Sequence, residues 1–178
     1  MLRFFLCFFY PFVLFAKTIP ITIETADTDE KRIWGLMGRD RLPKNHGMLF
    51  IYDKQRYLSV WMFNTRIDLS AAFIDNKGII TEIRQLQAYP EIMDPDRPVL
   101  SLNDLRLYPP QDPIVLFFRK KRATSLHQVR YVLEMQMGWF KKHGIRPGDR
   151  LQWNPGENKA TIQLQKRTKR DILSPKGE

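Results

Sequence analysis

Ala71-Ala72-Phe73-Ile74-Asp75-Asn76-Lys77-Gly78-Ile79-Ile80-Thr81-Glu82-Ile83 is the stretch whose reading decides the fold. Two apolar runs of strand length flank Asp75-Asn76-Lys77-Gly78, a cluster of turn-forming residues, so the segment predicts a β-hairpin. Runs of the same kind lie on both sides. Met48-Leu49-Phe50-Ile51-Tyr52 and Leu58-Ser59-Val60-Trp61-Met62-Phe63 precede it. Residues 114–118, 131–135, 150–153 and 160–164 follow, the last two around the turn signal Asn154-Pro155-Gly156-Glu157-Asn158. Nearer the start, Ile19, Ile21 and Ile23 alternate with Pro20, Thr22 and Glu24, the period of a half-buried strand. Short strands at this spacing predict a mostly β fold, a compact antiparallel β-sandwich or barrel-like domain with one or two short helices.

The helical signals are local. Ala26-Asp27-Thr28-Asp29-Glu30 offers a cap and first-turn acids, and Ile33, Leu36 and Met37 follow at spacings that share a helical face, which predicts two to three turns. Trp139 and Phe140 with two lysines predict a helical turn that Gly144 ends. Between them, residues 87–128 form an excursion marked by Asp94-Pro95-Asp96-Arg97-Pro98 and Tyr108-Pro109-Pro110-Gln111-Asp112-Pro113. Prolines remove backbone donors, so this part is expected to run over the surface around a strand at 114–118.

The chain has 178 residues, 43% hydrophobic and 27% charged, which suits one globular domain rather than a disordered or fibrous chain. Its start departs from that average. Met1-Leu2-Arg3 carries a positive charge, and an apolar run from Phe4 to Phe15 leads to Ala16-Lys17, the order of a cleavable signal peptide over residues 1–16. The run is shorter than the roughly 20 residues of a membrane-spanning helix, and Pro11 interrupts it. The expected organisation is therefore a signal peptide at 1–16, one domain at 17–166 and a basic tail at 167–178, with an exported, periplasmic or secreted product. Cys7 is the one cysteine, so the processed chain has none, which excludes disulfides, thiolate metal sites and a cysteine nucleophile.

The formal charge is +10, or +9 without Arg3. The excess lies in Arg119-Lys120-Lys121-Arg122 and Lys166-Arg167-Thr168-Lys169-Arg170. Blocks of like charge are usually a solvated loop or tail; as contact surfaces outside the cytoplasmic membrane they would meet anionic envelope components rather than nucleic acid. No aromatic residue interleaves with either run as a base-stacking platform requires, so a nucleic-acid binder ranks last.

Five words occur in order: Arg32-Ile33-Trp34-Gly35-Leu36-Met37-Gly38-Arg39, Gly47-Met48-Leu49-Phe50, Trp61-Met62-Phe63-Asn64-Thr65, Phe73-Ile74-Asp75 and Tyr131-Val132-Leu133-Glu134. Together they resemble the domain-of-unknown-function 192 family over residues 19–153. The resemblance implies a compact, mostly antiparallel β domain with one short helix near its start, often exported, and no established chemistry. It also implies an aspartate at the position of Ser70, since the family commonly continues its Trp-Met-x-Asn-Thr word with a proline and Leu-Asp where this chain has Ile67-Asp68-Leu69-Ser70.

The matching words set Arg39, Asn64, Thr65 and Glu134 among Met37, Met48, Trp61 and Met62. A buried charge is costly unless paired, and an Arg39–Glu134 ion pair would meet that need, with Asn64 and Thr65 bonding backbone in a turn. The same cluster serves equally as a ligand site of Arg39, Trp61, Met62, Asn64, Thr65 and Glu134. Catalytic equipment is sparse. His46, His127 and His143 lack metal-site spacing, no phosphate loop or nucleophile elbow occurs, and no cofactor or metal is expected. The favoured function is a non-catalytic envelope module that binds a small ligand or anionic polymer. The alternative is an enzyme on an envelope carbohydrate, with Glu134 as acid or base, Arg39 as an anion holder, and Asp68 or Asp75 as a second carboxylate.

Overall fold

The computed structural model describes residues 17–165. The expected leader at 1–16, the basic run at 166–170 and the tail at 167–178 lie outside the described residues. Nine strands occur in them: β1 (Thr18–Ala26), β2 (His46–Arg56), β3 (Ser59–Val60), β4 (Leu69–Ile74), β5 (Ile80–Leu86), β6 (Ala123–Thr124), β7 (Val129–Gln136), β8 (Arg150–Trp153) and β9 (Lys159–Gln163). Three α-helices accompany them: α1 (Asp29–Trp34), α2 (Pro113–Lys121) and α3 (Trp139–Lys142).

Seven strands form one sheet in the order β5-β4-β7-β2-β1-β9-β8, while β3 and β6 pair separately. Within the large sheet β1 and β2 run parallel and the other pairs antiparallel. The sheet curls until its two edge strands meet at one corner. There Ile80 N–H donates to the Asp149 carbonyl, Gly148 N–H to Ile80 and Leu151 N–H to Gly78. Gly78 makes the approach possible: its φ is 79°, and a Cβ there would collide with the Leu151 carbonyl oxygen. The mostly β, barrel-like expectation is met by this half-barrel.

Alternation along the strands divides the apolar residues between two faces. Met48 and Phe50 of β2, Leu69, Ala71 and Phe73 of β4, and Val129 and Val132 of β7 face one core. Leu49, Ala72, Ile74, Leu133 and Met135 face the other, with Ile19, Ile21 and Ile23 of β1. Trp139, Phe140 and Ile145 cover the second face. The 87–128 excursion covers the first. Its Val99, Tyr108, Val115 and Phe118 are buried there, so the segment supplies core rather than merely wrapping it.

Three sequence expectations change. Residues 114–118 belong to helix α2, not a strand. The Asp112 carboxylate accepts from Ile114 N–H, Pro113 occupies the first turn, and Val115 and Phe118 are buried three apart while Leu116 is 51% exposed. A run of five apolar residues has no period that separates a strand from one turn of buried helix. In 58–63 only Ser59–Val60 is strand, and the chain then turns through Asn64 at φ 50°. Helix α1 stops at Gly35, sooner than expected, so Leu36 and Met37 are buried beyond it and Ile33 is half exposed.

Candidate functional site

Glu134 lies opposite Met48 of β2 and Ala71 of β4, on the sheet face it shares with Val132. Met48, Ala71 and Val132 beside it on that face are apolar, and the residue is 5% exposed. Burial, with nothing opposing it, pushes its carboxyl up to about 8. Among the described residues no group hydrogen-bonds that carboxyl. It is nevertheless not sealed in, because Trp153 Nε1 is the one side-chain polar atom described that is both closed off and unpartnered. The Glu134 oxygens open instead onto a cavity of about 90 Å³.

The walls of that cavity come from three short segments. The end of α1 and the residues just after it bring Arg32, Trp34 and Met37, β2 brings Phe50 and Tyr52, and the turn after β3 brings Trp61, Phe63 and Thr65. Trp61 stacks on Phe63 at 5.2 Å, and Phe63 is itself fixed by edge contacts with Tyr108 and Phe118. The excursion thus holds the aromatic wall in place. Arg32 donates to the carbonyls of Asp27 and Ile51 at 2.8 and 2.7 Å and pairs with Asp29 at 2.6 Å. Its guanidinium and that of Arg56 lie 5.1 and 4.6 Å from the Tyr52 ring centre. Burial raises the Tyr52 hydroxyl, the two arginines oppose that rise, and Glu134 adds to it.

Of the residues singled out from the sequence, Trp61, Thr65 and Glu134 line this one cavity. Arg39 does not pair with Glu134. Its two terminal nitrogens hold both oxygens of Glu24 at 2.6 Å, and His46 Nε2 stands 2.9 Å from the same carboxylate. Glu24 is accordingly pulled down to about 2, chiefly by the Arg39 hydrogen bonds. The cause is simple: Arg39 finds a carboxylate on β1 in a half-exposed place, where pairing does not require taking two charges out of water. Asn64 donates not within its own turn but to the Val99 carbonyl of the excursion at 3.0 Å, and it borders a different cavity, of about 230 Å³, with Arg66 and Pro95. Thr65 N–H donates to the Met62 carbonyl in the same turn. Met62 is buried and borders an open groove beside Arg84, Lys121 and Arg122.

The other acids considered are occupied elsewhere. Asp75 accepts from Lys77 and Ile79 N–H in its own turn, and Asp68 accepts from Ala88 N–H. Glu134 is the one acid lining its cavity. Ser70, where the family's aspartate would fall, lies on the opposite sheet face, where its hydroxyl donates to Gln85 and accepts from Gly138 N–H. Among the described residues no group of three or more histidine, cysteine or acidic side chains is placed to hold a metal. Sequence reasoning missed Trp34, Tyr52 and Arg32 as cavity residues. Tyr52 had a legible signal, since Met48, Phe50 and Tyr52 alternate along one strand and so share a face.

The family profile DUF192, described as Uncharacterized ACR, matches residues 13–153. No curated protein matches the chain. A solved structure from Sinorhizobium meliloti 1021, described as a "putative transcription regulator", is 28% identical, with a TM-score of 0.54 over 77% of this chain and 94% of that one. A protein of unknown function from Novosphingobium aromaticivorans DSM 12444 is 22% identical, with a TM-score of 0.55 over 81% and 90% of the two chains, and shares the fold.

Proposed function

The chain belongs to the DUF192 family, and from that premise we propose that it is a non-catalytic module that binds a small ligand in the Glu134 cavity, exported to act outside the cytoplasmic membrane. One observation carries the reading: a buried carboxyl without a partner opens into a cavity walled by Trp34, Tyr52 and Trp61. A fold spends stability to keep such a group, and a site built to hydrogen-bond a ligand accounts for it. At about 90 Å³ the space suits a small molecule or the end group of a larger one. The enzyme reading needs a second acid or base within reach, and the cavity lining offers no other acid and no histidine. Export is supported by the charged start, the apolar run and Ala16. The basic run at 119–122 would add attraction to anionic envelope material.

The test is a titration of small polar metabolites against the isotope-labelled protein, following the Trp34 and Trp61 indole signals. Saturable shifts that Trp61→Ala abolishes are expected. Shifts confined to the basic groove beside Arg84 and Lys121, with the cavity silent, would overturn the assignment.

A further inference from the structure

We propose that the Glu134 cavity takes an organic ammonium group, which Glu134 meets as a carboxylate between aromatic walls. This rests on the ligand-cavity reading above and names the class of ligand. The protein's own cations leave the carboxyl without a counter-charge: Arg39 is held by Glu24, and Arg32 by Asp29 and two backbone carbonyls. The walls bring the Trp34, Tyr52 and Trp61 rings together with polar groups of Arg32, Ser59 and Thr65. Trp61 stacks on Phe63 and is half-buried where it lines the cavity, as is Trp34 at the end of α1. A cation over indole faces beside a buried carboxylate gains from both, whereas a neutral acceptor would gain one hydrogen bond. The molecule already holds cations this way at Tyr52, beneath Arg32 and Arg56.

Capture is coupled to a proton. The empty site holds Glu134–COOH, so R–NH3+ + Glu134–COOH gives R–NH3+···−OOC–Glu134 + H+, with the proton passing to solvent and no other bond changed. The groups facing the carboxyl are few. From α1 there is Arg32, whose charge is compensated by Asp29, and from β2 there is Tyr52. The turn after β3 and the flanking Ala71 of β4 contribute no titratable group. Because the free carboxyl titrates near 8, apparent affinity for an ammonium ion rises about tenfold per pH unit below that value and levels above it.

The probes are methylammonium and tetramethylammonium chlorides, with sodium chloride at matched ionic strength and with acetamide and sodium acetate as neutral and anionic counterparts. Binding is read from the Trp61 indole signal at pH 6, 7 and 8, and proton release from calorimetry in two buffers of different ionisation heat. The expected result is saturable ammonium binding that strengthens about tenfold from pH 6 to 7 and about fivefold from 7 to 8, releases close to one proton at pH 6, and is lost in Glu134→Gln while Trp34 and Trp61 keep their unliganded signals. Ammonium binding that ignores pH or survives Glu134→Gln overturns the inference. If acetamide or acetate moves Trp61 and ammonium does not, the cavity reading stands and the cation is wrong. If no probe moves it, both fall.

Discussion

Replacing Glu134 by glutamine should change how stability depends on pH more than it changes stability itself. The unfolded chain ionises this carboxyl at its ordinary value of 4.5, but the folded chain holds it protonated up to about 8. The folded pKa is raised, so the contribution is most favourable below 4.5 and is lost as pH climbs through the interval to 8. Each unit in that interval costs up to about 1.4 kcal/mol, so the full span costs about 5 kcal/mol and the step from pH 5 to 7 close to 3 kcal/mol. Glutamine has nearly the same shape and never ionises, so other titrating groups cancel in the difference between the two proteins. Glu134→Gln should therefore be near neutral at pH 5 and stabilising by roughly 3 kcal/mol at pH 7, or roughly 6–12 °C in melting temperature for a domain of this size. Melting curves of both proteins at half-unit steps from pH 4.5 to 8 check this. Parallel curves would show that the carboxyl is ionised or solvated in the folded state, and the burial argument would be refuted.

Further expectations concern the elements that hold the site. Arg39→Gln removes the hydrogen bonds that keep Glu24 near 2, a contribution present above the ordinary carboxylate value and lost as pH falls through 2. The stability gap to wild type should thus be largest above pH 5 and close as pH approaches 2, in a modest effect because Glu24 is partly exposed. Phe118→Ala, at a residue 1% exposed that supports Phe63, should cost about 3–5 kcal/mol in urea unfolding and shift the Trp61 signal through the loosened ring stack. Gly47→Ala would drive a methyl into Met135 and the Glu134 carbonyl oxygen across the β2–β7 pair, and should reduce stability by about 1–3 kcal/mol or prevent soluble expression. Expression of the full chain should yield a periplasmic product whose intact mass matches a start at Lys17, and a product retaining Met1 in the membrane fraction would reject cleavage.

The strands were legible wherever period two was clean. Ile19, Ile21 and Ile23 face one core as their alternation requires, and the turn at Asp75-Asn76-Lys77-Gly78 closes the β4–β5 hairpin. The failures share a cause. At 114–118 and 58–63 a short apolar run is all the sequence offers, and its conformation is settled by flanking residues: Asp112 and Pro113 start a helix, and Asn64 turns the chain. Such local caps and turns outweigh strand propensity, which itself reflects packing on a sheet more than backbone preference. The excursion runs mostly over the surface, as its prolines suggest, and adds core at a few positions. Its prolines mark irregular backbone, but irregular backbone can still bury Val99, Tyr108, Val115 and Phe118.

The candidate site was half legible, and the missing half is what leaves its carboxyl open to a ligand. Sequence order could mark Glu134 and Trp61 as unusual, but not that Arg39 takes Glu24 as its partner, because a choice between two carboxylates depends on reach and solvation rather than on spacing. That choice is decisive. Had Arg39 satisfied Glu134, the cluster would be a closed structural pair with no ligand to seek. Since Glu24 takes the guanidinium at a half-exposed place, the buried carboxyl is left to face the cavity with no cation of its own. The same three segments that fail to neutralise Glu134 wall it with aromatic rings, and the excursion locks those rings through Phe63. An unsatisfied acid beside aromatic rings costs stability as scaffold and serves a ligand as a receptor, and that contrast is what the proposed binding role at Glu134 rests on.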